Sequence, residues 1–147
     1  MRRFAVYLLP ALLWSALILF ASTDAFSSLH TGRWLTALLW RMFGQRPSEH
    51  SVNDLNFLWR KSTHVVAYGI LSALWFRGLR AEKEPRWLAR WAWTAIAIAA
   101  AVATVDEVHQ MFVPSRTASV FDVLLDTGGA TVAQTLIRLA QVLLFWT

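Results

Sequence analysis

The stretch Asp106-Glu107-Val108-His109-Gln110-Met111-Phe112-Val113-Pro114-Ser115-Arg116, continued by Asp122, Asp126 and Gly129, interrupts a chain that is otherwise strongly apolar. It gathers four acids, a histidine, an arginine and a glutamine. Ala95 to Val105 before it carries no charge, and neither does Thr127 to Ile137 after it. Polar groups set between two apolar segments of this kind are costly to bury in hydrocarbon. They are expected to face one another or water, with the rest of the chain as the scaffold that holds them at a membrane surface.

Working outward, span three is expected from about Trp87 to Val105, where abundant alanine suits close helix packing. Val113-Pro114-Ser115-Arg116 reads as a turn. Span four starts near Ser119, and Arg138 and Trp146 mark its far interface. Span two runs from about Leu55 or Ser62 to Leu79. Its charge-free core, Ser62 to Phe76, is short, so Arg60, Lys61 and Arg77 are expected to snorkel.

Span one is Phe4 to Thr23, twenty residues without a charge, enough for a ~30 Å bilayer core at ~1.5 Å per residue. Pro10 is expected to kink it. Ala21-Ser22-Thr23 offers small residues for signal cleavage, but the apolar run exceeds the ~7–15 residues of a signal peptide core. A retained span is expected.

Asp24 to Arg60 forms a long loop with structure of its own. Leu35, Leu38, Leu39 and Met42 fall at helical spacing within Arg33 to Met42, flanked by Trp34 and Trp40, which predicts a short helix lying in the interface. Gly44 to Ser51 reads as a turn region, and Asn53 or Asp54 as the N-cap of the next helix. His30 and His50 read as surface residues of this loop. The fold expected is an all-α membrane protein, with four transmembrane helices and a short interfacial helix in the first external loop, forming one domain over residues 1–147.

Composition agrees. The chain is 56% hydrophobic and only 16% charged, with nine tryptophans, which leaves too little polar surface to cover a soluble globule. The net charge of +5 does not point to nucleic acid, because the basic residues cluster beside apolar spans. The absence of cysteine excludes disulfides, zinc–thiolate sites and cysteine nucleophiles. Arg77, Arg80, Lys83, Arg86 and Arg90 crowd one short connection, and Arg2 and Arg3 precede span one. The positive-inside tendency therefore places both termini and that connection in the cytoplasm, with Asp106 to Arg116, Lys61 and His64 at the outer face.

Lys61, His64 and Tyr68 are spaced i, i+3, i+7 and share a helix face with Leu71. Asp106 and Gln110 are four apart, and Asp122 and Asp126 share a face with Gly129. Gly129 and Ala133 form a small-xxx-small pair that serves dimerisation, and so a homo-oligomer, as readily as internal packing. Three polar faces near one membrane surface should turn inward toward each other. A purely structural ion-pair network is one account of them, and a ligand site is the other.

On these residues the chain resembles the VanZ-like family of small bacterial membrane proteins. The resemblance rests on Lys61-x-x-His64-x-x-x-Tyr68-x-x-Leu71, on Asp106-Glu107-x-x-Gln110-x-Phe112-x-Pro114-x-Arg116, and on Asp122-x-x-x-Asp126-x-x-Gly129. The motif-bearing part covers about 61–133. Ala67 stands where many members carry an acid, Asp126 where asparagine is common, and Ala133 where glycine is frequent. The resemblance implies a bacterial cytoplasmic-membrane protein of the cell envelope. It also implies a link to low-level resistance to teicoplanin, a lipoglycopeptide that acts on cell-wall precursors. It supplies no biochemical activity and no cofactor.

Three functions compete. In the first, the outer face binds an anionic lipid-linked or cell-wall-related ligand. Lys61 and Arg116 then hold phosphate or carboxylate, His64, Tyr68 and Gln110 orient it, and Asp106, Glu107, Asp122 and Asp126 orient the bases. In the second, an intramembrane hydrolase or transferase uses His64 with Asp106 and Glu107 as acid and base, although no nucleophile motif is present. A divalent metal on Asp106, Glu107, Asp122 and His64 has the right donor types, but Lys61 and Arg116 would repel it, so no metal is expected. In the third, the chain is a structural partner in an envelope complex that makes contact through the long loop. The sequence does not decide between enzyme and binder.

Overall fold

The computed structural model describes residues 4–23, 28–45, 47–81, 87–113 and 118–145, and among these the regular structure is entirely helical. A π-helical segment, Phe4–Leu8, leads into α1 (Leu9–Ala21). It is followed by α2 (Ser28–Phe43), α3 (Glu49–Arg80), α4 (Ala89–Gln110) and α5 (Val120–Phe145). Pro10 falls in the first turn of α1, where the winding changes from the π-helical segment to α.

Several expected boundaries move. The loop helix is longer than Arg33 to Met42, because it begins at Ser28. Helix α3 starts at Glu49, inside the region read as a turn, and its N-cap is Ser48 rather than Asn53 or Asp54. The Ser48 hydroxyl accepts the Ser51 N–H at 3.2 Å, satisfying one of the first-turn donors that a helix leaves open. Asp54 instead pairs with His50 one turn earlier at 3.2 Å, both on the exposed side of the helix. His50 is therefore a helical surface residue. Helix α4 runs past Val105 to Gln110, and α5 runs past Arg138 to Phe145. The expected turn at Pro114 to Arg116 lies outside the described residues, as do Lys83 and Arg86.

By length and composition two helical segments are fit to cross a membrane, Phe4–Ala21 and Ala89–Gln110. Four were expected. Helix α3, with 32 residues and a length of about 48 Å, and α5, with 26 residues, do not qualify, because charged and polar residues interrupt their apolar runs.

The helix directions follow from the contacts. Lys61, His64, Gly69 and Ser72 of α3 meet Asp122, Asp126, Gly129 and Gln134 of α5 in rising order, so these two helices are parallel. Helix α1 runs against α3, since Trp14 donates its indole N–H to the Ala67 carbonyl at 2.9 Å and Trp75 donates to the Ser15 hydroxyl at 3.3 Å. Helix α4 lies alongside α1 in the same direction, its end joined to α1 through Gln110 and Ser22. All four thus bring the ends bearing Ser22, Lys61, Gln110 and Asp122 together.

Small residues allow this closeness. Ala92, Ala95, Ala99 and Ala103 form the buried stripe of α4, and Ala99 and Ala103 pack with Tyr68, Leu71 and Ala130. Gly129 and Ala133 face Val65 and Gly69 of α3, so the small-xxx-small pair serves packing within the chain. At the other end, a Cβ added to Gly78 would lie 2.9 Å from the Tyr7 carbonyl oxygen. Gly78→Ala is expected to push α1 off α3 and cost about 1–3 kcal/mol, read as a lowered thermal unfolding midpoint in detergent. An unchanged midpoint would mean that α1 yields without penalty.

The two ends differ in charge. Arg77, Arg80, Arg90 and Arg138 collect at the far end, resting over Tyr7, Phe76, Trp91 and Trp87. The buried acids collect at the other. Between them the outer surface carries large apolar side chains, with Leu13 and Phe20 each 61% exposed and Leu143 73%.

Candidate functional site

The polar face of α3 engages one partner per turn. Lys61, packed over the Phe57 ring, forms an ion pair with Asp122 of α5. His64 Nδ1 lies 3.2 Å from Asp126 Oδ2, one turn further along α5. The Tyr68 hydroxyl donates to Asp106 Oδ2 of α4 at 3.5 Å, and the His64 and Tyr68 rings stack with centroids 6.2 Å apart. The spacing of i and i+3 on α3 matches i and i+4 on α5 because the helices are parallel, while Tyr68 at i+7 turns to α4. A helix running the other way would reverse the order of partners.

Asp106 is the most connected acid. The Gln110 amide donates to the same Oδ2 at 3.2 Å, and it also donates to the Ser22 hydroxyl of α1 at 3.1 Å. Asp106 and Asp126 are each only 1% exposed, and each keeps one buried oxygen, Oδ1, without a hydrogen-bond partner. Such oxygens are uncommon, because an unmet buried acceptor carries its full desolvation penalty.

Glu107 takes a different part. Its Oε2 accepts the Ser119 N–H at 2.7 Å, while the Ser119 hydroxyl accepts the Phe121 N–H at 3.2 Å. It therefore ties the end of α4 to the entry of α5. The acids and His64 disperse to separate partners, and among the described residues no group of three or more His, Cys, Asp or Glu is placed to hold a metal ion.

A cavity of about 280 Å³ opens beside this network, between α1, α3 and α4. Its polar lining is Ser22, Arg60, Thr63, His64, Tyr68 and Asp106. Of the nine expected site residues, His64, Tyr68 and Asp106 line the cavity directly, while Gln110 and Asp126 stand behind them as hydrogen-bond partners. Lys61 and Asp122 engage each other, Glu107 engages backbone, and Arg116 lies outside the described residues. His109, three residues after Asp106, is exposed.

Three polar lining residues, Ser22, Arg60 and Thr63, were not foreseen. Arg60 read as a snorkelling flank, yet it sits one turn before His64 and so on the same face, a signal present in the spacing. It makes no ion pair among the described residues. Ser22 read only as a small residue near a cleavage site. Its bond to Gln110 spans 88 residues, and no local pattern announces it. Ala67, where the family resemblance led one to expect an acid, also lines the cavity, so the departure removes a carboxylate from the wall itself.

A family model described as VanZ/LLP1 matches residues 4–141, nearly the whole chain. No curated protein and no solved structure matches it significantly.

Proposed function

The chain belongs to the VanZ/LLP1 family, and on that premise we propose that it is a multi-pass protein of the bacterial cytoplasmic membrane that binds an anionic lipid-linked or cell-wall-related ligand at its outer face. Helices α1, α3, α4 and α5 all cross the bilayer in this reading. The polar residues of α3 and α5 face each other, while side chains such as Leu13, Phe20 and Leu143 meet lipid. The arginine-rich end is cytoplasmic, with both chain termini on that side. Helix α2, with Trp34, Trp40, Met42 and Phe43 exposed, lies in the outer interface.

The observation that carries the ligand reading is the cavity: Arg60 lines it with no ion-pair partner among the described residues, beside His64 and Tyr68. Anion binding therefore passes from Lys61, which Asp122 neutralises, to Arg60. Protection of the cell wall against teicoplanin would follow from holding a lipid-linked surface molecule at this face. Purified protein is expected to bind phosphatidylglycerol or an undecaprenyl phosphate, and Arg60→Gln to weaken that binding about tenfold, a loss of ~1.4 kcal/mol. Equal binding by Arg60→Gln and the parent would remove the reading.

One observation favours the hydrolase or transferase reading. His64 is held by a carboxylate through Nδ1, as an oriented general base is, and it lines the cavity. Turnover of polyprenyl phosphates that His64→Gln abolishes would establish it, and inertness with and without chelator would leave the binder.

A further inference from the structure

Among the described residues, the cavity sets a cation without an ion pair and an acceptor without a hydrogen bond within one set of walls. Arg60 supplies the first. Asp106 supplies the second: it lines the cavity at 1% exposure, and Oδ1 has no hydrogen-bond partner while Oδ2 already accepts from Tyr68 and Gln110. A purely anionic ligand satisfies Arg60 and leaves Asp106 Oδ1 bare, or repels it. A ligand carrying a donor as well as an anion satisfies both.

We propose that the cavity selects a zwitterionic headgroup in which a phosphate engages Arg60 and a primary ammonium donates to Asp106 Oδ1. This inference rests on the anion-binding reading above and narrows its ligand to an aminophosphate amphiphile. A cationic donor fits better than a neutral hydroxyl, because hydrogen bonds between ionised partners are roughly twice as strong as neutral ones. The apolar lining from Ile18, Ala21 and Trp59 leaves room for the start of the acyl or isoprenoid chain. Tyr68 and Gln110 would act as positioning residues, holding the carboxylate through Oδ2 and leaving the buried Oδ1 as its open acceptor.

The test compares lipids with identical tails on the full chain in maltoside micelles, using native mass spectrometry to count bound lipid. Phosphatidylethanolamine carries both phosphate and N–H donors. Phosphatidylcholine keeps the charge but has no N–H, and phosphatidylglycerol has the phosphate alone as its charge. Phosphatidylethanolamine is expected to bind about tenfold more tightly than phosphatidylcholine, the worth of one charge-assisted hydrogen bond. Asp106→Asn, which keeps an acceptor for Tyr68, is expected to erase that preference. Equal affinity for phosphatidylethanolamine and phosphatidylcholine in the parent protein overturns the inference, whether or not the variant folds. So does a preference that survives Asp106→Asn. If all three lipids bind equally and Arg60→Gln weakens them together, the inference falls while the anion-binding reading stands. If none of the three binds, the inference falls, and the anion-binding reading falls with it when undecaprenyl phosphate fails to bind as well.

Discussion

Gly129→Ala is expected to destabilise the bundle by about 3 kcal/mol, at the upper end of what a single added methyl costs in a packed interior. The new Cβ would sit 3.0 Å from both the carbonyl carbon and the Cα of Val65, and closer still to the Val65 oxygen. The obstacle is backbone, which cannot rotate away as a flexible side chain can. Relief requires α3 and α5 to separate, and that strains the pairing of Lys61 with Asp122 and of His64 with Asp126 along the same interface. The neighbouring Gly128 provides the control, since an added Cβ there meets nothing within 4 Å. Gly128→Ala is expected to gain stability, up to ~1 kcal/mol, because alanine is the better helix former. Opposite shifts of the unfolding midpoint for adjacent glycines would locate the α3–α5 contact. Parallel shifts would mean that the helices are not packed at this point.

That contact also shows what a single sequence makes legible. The i, i+3, i+7 spacing of Lys61, His64 and Tyr68, and the i, i+4 spacing of Asp122 and Asp126, are local patterns that name a face without naming its partner. Assembly then needs only a parallel approach, which a helix between them running the other way provides. Ser22 was invisible because its role depends on a hydrogen bond to a residue 88 positions away. Arg60 was visible but passed over as a site residue, because beside Lys61 it reads as a flank of the span. The structure separates them, giving Lys61 to Asp122 and Arg60 to the cavity.

Boundaries failed where two local signals competed. Asn53 and Asp54 are good N-cap types, but Ser48, directly after Pro47, caps one and a half turns earlier, and the helix continues through both residues. The charge-free core of span two similarly understated α3, because helix formation does not stop at Arg60 or at Asp54. Helices α3 and α5 do not stand out by hydropathy because polar residues interrupt them, and some of these, His64 with Asp126 and Ser72 with Gln134, meet each other between the two helices.

His64→Ala is expected to cost about 3 kcal/mol, because it leaves Asp126 as a buried carboxylate without its partner. Removing the charge as well should recover most of the loss, so the double variant His64→Ala, Asp126→Asn is expected to be more stable than His64→Ala alone. Asp126→Asn by itself is expected to cost no more than ~1 kcal/mol, since an amide oxygen can still accept from His64. The asparagine expected at this position from the family resemblance is thus accommodated by the same histidine. Thermal unfolding of the four proteins gives the coupling between the two side chains. Lipid binding measured on the same four proteins gives a second answer. A double variant restored in stability but unable to bind assigns the pair to the ligand site, because His64 lines the cavity and Asp126 orients its ring. A double variant restored in both reduces the pair to an interhelical tie, leaving Arg60, Tyr68 and Asp106 as the groups that meet the ligand. No coupling at all would mean that His64 and Asp126 do not face each other, and the parallel register of α3 and α5 would fall with them.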